Sequence, residues 1–593
     1  MQPYRHASGL ARSALGALNE AEEWGASGSR VPIRKTLQEA DLAIGGDAAS
    51  KERREFVPPR VIGHLVCLNG TEGVISCRLE AAEEDWSVGH LITIVHRNSR
   101  LVGVVCEIAT NDGAWSEGGV NTARAKIELS GEIVDDEAGT PVFHRGVRSF
   151  PSLGAVAHRI RADDLRAIYS FRGRQGVEIG RLSQNELIPA EIDVSELIGR
   201  HFAVLGSTGV GKTTAVSLLL KRSVATRPKL RVMIFDPHNE YGRHFAKSAQ
   251  VIDSDSFELP FWMFRFDEFA DIIFSGRQPH ADERDALFEI IRIARAKYVS
   301  DSNTITSSSG LRRHAVVEGA SPTADTPTPY RIIDVVAIIE EWLGKLDQRF
   351  SRSDLKALRF RVEGLNRDPR FRFMFGRPVV EEDIGKVISR LFRIPTQGMP
   401  ITIVQLAGLP NEVVNPVVSV LARLAFEIAF WCSGDFEVNV LCEEAHRYIP
   451  SVQVTSGRGE TFGPARQAIG RIAKEGRKYG ASLGVISQRP SELDPTVLSQ
   501  CSTMFAMRLA NEVDKGIIRA AAGASAASTI AFLSSMADRE AIAFGEAIAT
   551  PMRMKFSNSA DRAFNPAPIA APPRDAEPID LRKLSARLRG EAS

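Results

Sequence analysis

The sequence predicts an α/β protein whose core is preceded by a small β-rich module and interrupted by a helical insertion. Three observations support this prediction. Residues 202–205 are apolar and run through a glycine-rich turn into an apolar helical pattern, which is typical of a strand, loop and helix. Short β-rich runs with Asn-Gly and Gly-Gly breaks fill residues 57–155. Helical periodicity dominates residues 257–395.

Length and composition limit the possible classes of protein. A chain of 593 residues is too long for one hydrophobic core, and 44% hydrophobic with 25% charged residues is typical of a soluble globular protein. The net charge of +1 means that any contact with nucleic acid depends on a local basic lining. The six cysteines form no Cys-x-x-Cys pair, which argues against a zinc site or a disulfide framework.

The sequence favours a cytoplasmic protein without a membrane segment. Reduced thiols fit that compartment, and the N-terminus has no apolar signal core. The longest apolar run, 417–432, is interrupted by Arg423 and Glu427, so we expect an amphipathic helix there.

The first two segments differ in character. Residues 1–55 surround one short helical pattern with Gly, Ser and charged residues, so we expect a flexible or partner-binding extension. Residues 56–160 are predicted to form a small antiparallel β-barrel that serves as a collar or assembly module. Its strands are expected at 61–67, 73–77, 91–95, 101–105, 125–129 and 132–134.

The next segment, 161–256, is predicted to begin the α/β core and contains a phosphate-binding motif. The spacing G-x-x-x-x-G-K-[ST] lies between the strand and the helix, so backbone N–H groups and the helix dipole both face a bound phosphate. Lys212 is expected to reach the β- and γ-phosphates, and the Thr213 hydroxyl is expected to bind Mg²⁺. The predicted ATP-binding residues are Gly206, Ser207, Thr208, Gly209, Val210, Gly211, Lys212, Thr213 and Thr214.

A second strand, 232–235, ends in polar residues that we interpret as part of the same site. Ligands bind at the carboxyl ends of strands in such sheets, which favours a functional role for Asp236 and Glu240. The alternative is a turn in which Asp236 only caps the following helix.

The helical insertion is predicted at 257–398, and its residues suggest no chemistry. A Ser/Thr/Pro-rich loop is expected at 300–329. Helices are expected at 286–298, 333–346, 353–365 and 381–392.

The second part of the core, 399–556, supplies the predicted catalytic residues. An apolar strand runs into Glu443 and Glu444, and we assign Glu443 to Mg²⁺ and Glu444 to the attacking water. Gln488 follows another strand and is expected to sense the γ-phosphate or orient water. Arg471 and Arg477 lie in a basic helical stretch and are candidate arginine fingers, the alternative being that they bind DNA phosphates. A hairpin of 541–547 with 552–556 is expected near the end, followed by a tail or brace at 557–593 with a short helix at 579–589.

These motifs resemble those of the HerA family of hexameric DNA translocases, which are related to FtsK. The resemblance covers most of 57–556 and rests on the segments 200–214, 236–241 (Asp-Pro-His-Asn-Glu-Tyr), 443–446 (Glu-Glu-Ala-His), 475–480 and 487–490. It implies a HAS-type barrel, a RecA-like core with a helical insertion, and a C-terminal brace. It also implies a homo-hexameric ring with double-stranded DNA in the pore and ATP between subunits. Two residues depart from the family pattern: Glu443 replaces the usual Asp, and Asn239 stands where Gly is common.

Two functions remain open at this stage. The first is an ATP-driven DNA translocase or helicase that works with a partner nuclease or, as in phage-defence relatives of the family, a sirtuin-like NAD-hydrolysing effector. The second is a ring-shaped ATPase scaffold that assembles and regulates such an effector, which the near-neutral charge favours. A local basic cluster favours the first, namely Arg458, Arg466, Arg471, Lys474, Arg477 and Lys478. A small-molecule kinase leaves the barrel and the acidic pair unexplained.

Overall fold

The computed structural model describes most of the chain after residue 60. The described residues are 61–79, 87–110, 121–171, 176–245, 248–275, 277, 279–308, 322–345, 349–376, 383–432, 434–451, 463–522, 530–558 and 579–590. The extension predicted at 1–55 lies outside them, as do Arg458, residues 309–321 of the predicted loop and residues 559–578 of the predicted tail.

The first sheet closes into a six-stranded barrel, in agreement with the sequence prediction. The strand order is β2-β1-β7-β3-β4-β5, an antiparallel β2–β5 pairing closes the circle, and β6 extends the sheet from β5. Alternate side chains of β5 point inward, so the barrel has its own apolar core. The strands are β1 (Val61–Asn69), β2 (Glu72–Leu79), β3 (Leu91–His96), β4 (Ser99–Thr110), β5 (Asn121–Asp135), β6 (Pro141–Arg145) and β7 (Val156–Arg159).

Strand β5 corrects one detail of the prediction, which expected two strands at 125–129 and 132–134. Gly131 lies inside one continuous strand. A Cβ atom there would lie 2.5 Å from the carbonyl oxygen of His144, so this glycine lets β6 approach closely. The pairing between β4 and β5 shifts register at Val102 and Gly103, opposite this glycine, which accommodates the irregularity without ending the strand.

The second sheet has eleven strands and forms the core. Its order is β12-β13-β11-β14-β15-β10-β16-β17-β18-β8-β9. The first seven strands in this order are mutually parallel, and the last four are antiparallel. The strands are β8 (Gly176–Leu182), β9 (Asn185–Asp193), β10 (His201–Leu205), β11 (Leu230–Asp236), β12 (Ala249–Ile252), β13 (Ile401–Gln405), β14 (Glu437–Cys442), β15 (Ala481–Ser487), β16 (Cys501–Ala506), β17 (Glu540–Gly545) and β18 (Met552–Phe556).

In the part of the chain that the structure describes, helices cover both faces of this sheet, and six of those helices lie between β12 and β13, where the insertion was predicted. The long helix of the insertion continues through Ser308, so the loop expected from residue 300 begins later than predicted. The helices are α1 (Ala162–Tyr169), α2 (Val194–Gly199), α3 (Lys212–Thr226), α4 (Phe266–Phe274), α5 (Ala281–Ser308), α6 (Ile332–Gly344), α7 (Arg352–Arg367), α8 (Arg372–Phe375), α9 (Ile384–Phe392), α10 (Asn411–Cys432), α11 (Pro464–Glu475), α12 (Pro495–Gln500), α13 (Glu512–Ala522) and α14 (Leu581–Leu588).

Helix α10 is buried on nearly all sides rather than amphipathic as predicted. Its length and composition alone would allow it to cross a membrane, but 83% of its most apolar 18-residue window is buried inside the protein. The Arg423 guanidinium lies 3.0 Å from the Glu268 carboxylate of α4 and donates to the carbonyl of Met263. This pairing satisfies a charge that an amphipathic helix would expose to water.

Candidate active site

The polar side chains predicted to act together meet at one edge of the second sheet. Strands β10, β11, β14 and β15 are neighbours in the parallel part of that sheet, so their carboxyl ends point the same way. The glycine-rich loop, Asp236, the Glu443–Glu444 pair and Gln488 follow these four ends. The sequence patterns alone did not determine this strand order.

The glycine-rich loop has the conformation that a phosphate-binding loop requires. Gly211 has φ +96°, in the left-handed region that favours glycine, and it precedes the first residue of α3. Lys212 is buried, and its Nζ donates to the carbonyl of Ser207 at 3.0 Å. The lysine therefore folds over the loop, within reach of a phosphate that the loop amides would bind.

The loop after β11 is held together by Asp236. The fully buried Asp236 carboxylate accepts hydrogen bonds from the backbone N–H groups of His238, Glu240 and Tyr241 at 3.3, 3.2 and 3.0 Å. Asp236 thus organises the turn, and its carboxylate makes no hydrogen bond to a described side chain. Asn239 has φ +58°, a left-handed conformation that asparagine tolerates better than most residues, which explains how it replaces the usual glycine.

Glu240 and Tyr241 link this turn to the other elements of the site. The Thr213 hydroxyl donates to Glu240 Oε2 at 2.7 Å, which places Glu240 beside the predicted magnesium-binding hydroxyl. The buried Tyr241 hydroxyl donates to Glu443 Oε2 at 2.5 Å. Sequence reasoning missed Tyr241 as a partner of Glu443, because the two residues are 202 positions apart and no local pattern connects them.

Glu443 and Glu444 are both buried and differ in their partners. Burial raises the pKa of Glu443 to about 7, the Tyr241 hydroxyl opposes the rise, and the charge of Glu444 adds to it. Glu444 Oε2 is buried without a hydrogen-bond partner among the described residues, although His446 Nδ1 lies 3.4 Å away. Glu444 has φ +48°, a left-handed conformation unusual for a non-glycine residue, and such strain concentrates at functional sites.

The donor set fits a hydrated Mg²⁺ ion. Carboxylate and hydroxyl oxygens are the ligands that Mg²⁺ prefers, and Glu443, Glu240 and Thr213 supply them beside the phosphate-binding loop. Glu240, Glu444 and Lys212 all contribute to the electrostatic environment of Glu443. A cation would favour the ionised form of this crowded carboxylate and compensate the unpartnered oxygen of Glu444.

Gln488 lies beside the phosphate-binding loop. Its side-chain oxygen accepts a hydrogen bond from the Thr208 hydroxyl of the phosphate-binding loop. The backbone N–H of Gly206 donates to the carbonyl of Ser487 at 3.2 Å. This hydrogen bond connects the end of β15 to the start of the loop. These contacts place Gln488 beside the loop predicted to bind phosphate, and its role as a γ-phosphate sensor stays a prediction.

Arg471 and Arg477 lie at the opposite edge of the sheet. Both precede the amino end of β15, and the phosphate-binding loop follows the carboxyl end of the neighbouring β10. β10 has five residues, so about 15 Å of strand separates the two edges. The Arg471 guanidinium lies over the Phe426 ring at 4.3 Å, whereas exposed Arg477 makes no hydrogen bond or ion pair with any described residue. Neither arginine belongs to the nucleotide site of its own chain.

These features define the class of protein. A phosphate-binding loop, a strand ending in two buried acids and a polar sensor on the strand between them, all on one parallel sheet, form the site of a P-loop ATPase. Comparison with known proteins narrows this class. A family model described as "Helicase HerA, central domain" matches residues 177–425.

Relatives with known names extend over most of the chain. The DNA double-strand break repair helicase HerA of Pyrococcus furiosus is 24% identical over 450 residues, covering 68% of this chain and 73% of the relative. The protein of the same name from Saccharolobus solfataricus is 24% identical over 411 residues, with 68% and 73% covered. Among solved structures, VirB4 of Thermoanaerobacter pseudethanolicus aligns with a TM-score of 0.44 and 16% identity, covering 66% of this chain and 98% of that one. The family match over the central part of the chain and the named relatives support a HerA-type ATPase, and with it an enzyme that hydrolyses ATP.

Proposed function

We propose that this protein is a ring-forming, ATP-driven DNA translocase or helicase, in which six copies surround double-stranded DNA and act with a partner enzyme. The observation that carries the proposal is the separation of Arg477 from the nucleotide site of its own chain. A P-loop ATPase commonly needs an arginine to stabilise the charge of the transition state. An exposed arginine at the far edge of the sheet, with no hydrogen bond or ion pair to a described residue, is available to a neighbouring copy.

The residues of the active site take the following roles in this proposal. The loop 206–214 binds the phosphates of ATP, Lys212 contacts the β- and γ-phosphates, and Gln488 senses the γ-phosphate. Glu443 and Thr213 would hold Mg²⁺, with Glu240 beside them, and the ion would neutralise phosphate charge. Glu444 orients the attacking water and accepts its proton, for which its unpartnered buried oxygen is suited.

The basic cluster near Arg477 supports contact with DNA phosphates by another part of the ring. Lys474 and Lys478 are exposed beside Arg477, whereas Arg466 is paired with Asp494 at 2.6 Å. Exposed cations bind the phosphate backbone without reading sequence. The relatives named DNA double-strand break repair helicases agree with a DNA substrate.

Strand displacement and DNA-stimulated ATP hydrolysis test the proposal, with Lys212→Ala as the inactive control. Purified protein should form hexamers by light scattering, and hydrolysis should rise when duplex DNA is added. A monomer at micromolar concentration, both with and without ATP, would exclude the ring.

The second candidate is a cytoplasmic ATPase ring that assembles and regulates a nuclease or a sirtuin-like effector, as in phage defence. The net charge of +1 favours it, because a dedicated DNA motor is expected to be more basic. Strand displacement measured with and without a co-encoded partner separates the two candidates. Effector activity that depends on ATP hydrolysis, without any DNA movement, would favour the scaffold.

A further inference from the structure

A segment far from the phosphate-binding loop in sequence packs directly against it. The backbone N–H of Arg539 donates to the carbonyl of Val210 at 2.8 Å. A Cβ atom built on Gly211 would lie 2.9 Å from Cγ of Arg539, so the arginine side chain crosses the loop at this glycine. The segment is held there by Arg508, which donates to Asp538 at 2.9 Å while its own carbonyl accepts from the Ser207 N–H at 2.9 Å.

The backbone of Arg539 is strained. Its φ of +63° lies in the left-handed region, which glycine and asparagine adopt more readily than arginine. Nothing in the turn itself requires a long cationic side chain. Strained non-glycine residues concentrate at active sites and ligand-binding loops, which makes the position of Arg539 beside the phosphate-binding loop a reason to examine its guanidinium.

The positive charge of Arg539 is not paired with any residue in the described part of the chain. Its guanidinium makes no hydrogen bond or ion pair with any described residue, and the side chain is half-buried. Its neighbours differ, since Arg508 pairs with Asp538 and Arg553 pairs with Glu540 at 2.8 Å. A partly desolvated cation beside a phosphate-binding loop is suited to an anionic ligand.

Strand order determines which end of the nucleotide Arg539 faces. The acids follow β14, on one side of β10, and Arg539 immediately precedes β17, on the other side. β17 is antiparallel to β16, so it begins at the edge where the phosphate-binding loop lies. Because the γ-phosphate must lie toward Glu444, the opposite flank faces the α-phosphate and the nucleoside.

We propose that Arg539 is a nucleotide-binding residue whose guanidinium contacts the α-phosphate end of ATP and ADP, on the flank opposite the catalytic acids. The proposal rests on nucleotide binding at the loop 206–214, as proposed above. Arg539 thus acts in ground-state binding, whereas Glu444 acts in hydrolysis. A contact present in both ATP and ADP should change KM and leave kcat nearly unchanged.

The experiment measures the affinity of fluorescent ATP and ADP analogues for the full-length protein. Arg539→Asn and Arg539→Gly keep the left-handed backbone and remove the charge, so both should bind each nucleotide about tenfold more weakly, the usual effect of losing a charged hydrogen bond. Arg539→Lys keeps a cation and should restore part of the affinity. Arg519→Ala on α13 removes an exposed arginine elsewhere and serves as the matched control.

The outcomes separate this proposal from the one on which it rests. Unchanged affinity of the Asn and Gly variants, in protein whose melting temperature shows that it is folded, overturns the role of Arg539. Weaker binding of ATP alone also overturns it, because that result indicates a γ-phosphate contact. Unchanged affinity of Lys212→Ala would contradict the nucleotide site itself, whatever Arg539 does.

Discussion

The two edges of the parallel sheet differ in the burial and hydrogen bonding of their ionisable side chains. At the carboxyl edge, Glu443 and Glu444 are buried close together, and Glu444 Oε2 has no hydrogen-bond partner among the described residues. At the amino edge, Arg477 is exposed and His201 is buried. The His201 ring is neutral, and both of its nitrogens are hydrogen-bonded. The carboxyl edge thus keeps a buried carboxylate oxygen without a partner among the described residues, whereas at the amino edge the buried His201 ring is satisfied and the exposed Arg477 is unpaired among those residues.

His201 shows how the amino edge is stabilised. Its Nε2 donates to the carbonyl of Ala473 at 3.0 Å, and its Nδ1 accepts from the N–H of Leu483 at 3.0 Å. The pKa of His201 is lowered to about 4, chiefly by burial; the hydrogen bond to Ala473 opposes this shift and the charge of nearby Arg477 adds to it. The comparison shows that a buried ionisable group does not by itself mark a functional site, since the His201 ring is fully hydrogen-bonded whereas Glu444 Oε2 has no hydrogen-bond partner among the described residues.

The largest expected effect concerns Arg477. If its guanidinium completes the site of a neighbouring copy, Arg477→Ala should reduce ATP hydrolysis on the order of 10³–10⁵-fold. Arg471→Ala should have a much smaller effect, because the Arg471 guanidinium already lies over Phe426. Steady-state phosphate release measures both variants.

Mixed rings test whether Arg477 acts between copies. Arg477→Ala and Lys212→Ala chains are each expected to be inactive, but a mixed ring contains some interfaces with both residues intact, so activity should return. No recovery in rings shown to have mixed would count against Arg477 as the finger. A defect in DNA binding alone would assign Arg477 to the pore.

The next effect separates binding from hydrolysis at the carboxyl edge. Glu444→Gln removes the proton acceptor and should lower the hydrolysis rate by about 10²–10⁴-fold while nucleotide still binds. Lys212→Ala should instead weaken binding, because it removes phosphate contacts. Parallel measurement of nucleotide affinity and phosphate release checks both, and normal hydrolysis by Glu444→Gln would show that another residue orients the water.

A smaller effect should appear as pH-dependent stability through His201. The pKa of His201 in the folded protein lies below the usual value of 6.5, so the neutral ring contributes to folding stability. This contribution is fully present above pH 6.5 and is lost as the pH falls toward 4. The free energy of unfolding should fall by about 3 kcal/mol over this range, since each pKa unit corresponds to about 1.4 kcal/mol.

The variant His201→Gln supplies the comparison for this measurement. Its amide offers a donor and an acceptor but does not titrate in this range. The difference in melting temperature between wild type and variant should therefore shrink as the pH falls from 7 to 5. A difference that stays constant would show that His201 does not control the acid sensitivity of this edge.

The smallest expected effect concerns the support of Glu443. Tyr241→Phe removes the hydroxyl that donates to Glu443 and keeps the ring. Mutating a residue that hydrogen-bonds a metal ligand typically weakens metal affinity by about 10–100-fold. The Mg²⁺ concentration for half-maximal hydrolysis should therefore rise by that factor. Tyr448→Phe removes another buried hydroxyl nearby and is the matched control. An unchanged Mg²⁺ requirement would contradict the assignment of Glu443 to the metal.

The sequence by itself determined the parts of this protein that depend on local chemistry. The phosphate-binding loop follows from residue types at fixed spacing, and the acidic pair and Gln488 follow from polar residues at the ends of apolar strands. The barrel, the insertion and the terminal hairpin were also predictable, because period-two and helical patterns are local properties of the chain. The roles of the individual site residues stay predictions.

Tertiary structure alone decided which distant residues meet. The strands β8, β9 and β12 join the core sheet although their short patterns were not recognised as strands. Tyr241 reaches Glu443, Glu240 reaches Thr213, and Arg539 crosses Gly211 only because strand order brings their loops to one edge. The same order separates Arg477 from the loop by the length of a strand. Periodicity specifies which face of a strand is buried, but the neighbours of that strand depend on the packing of the whole sheet.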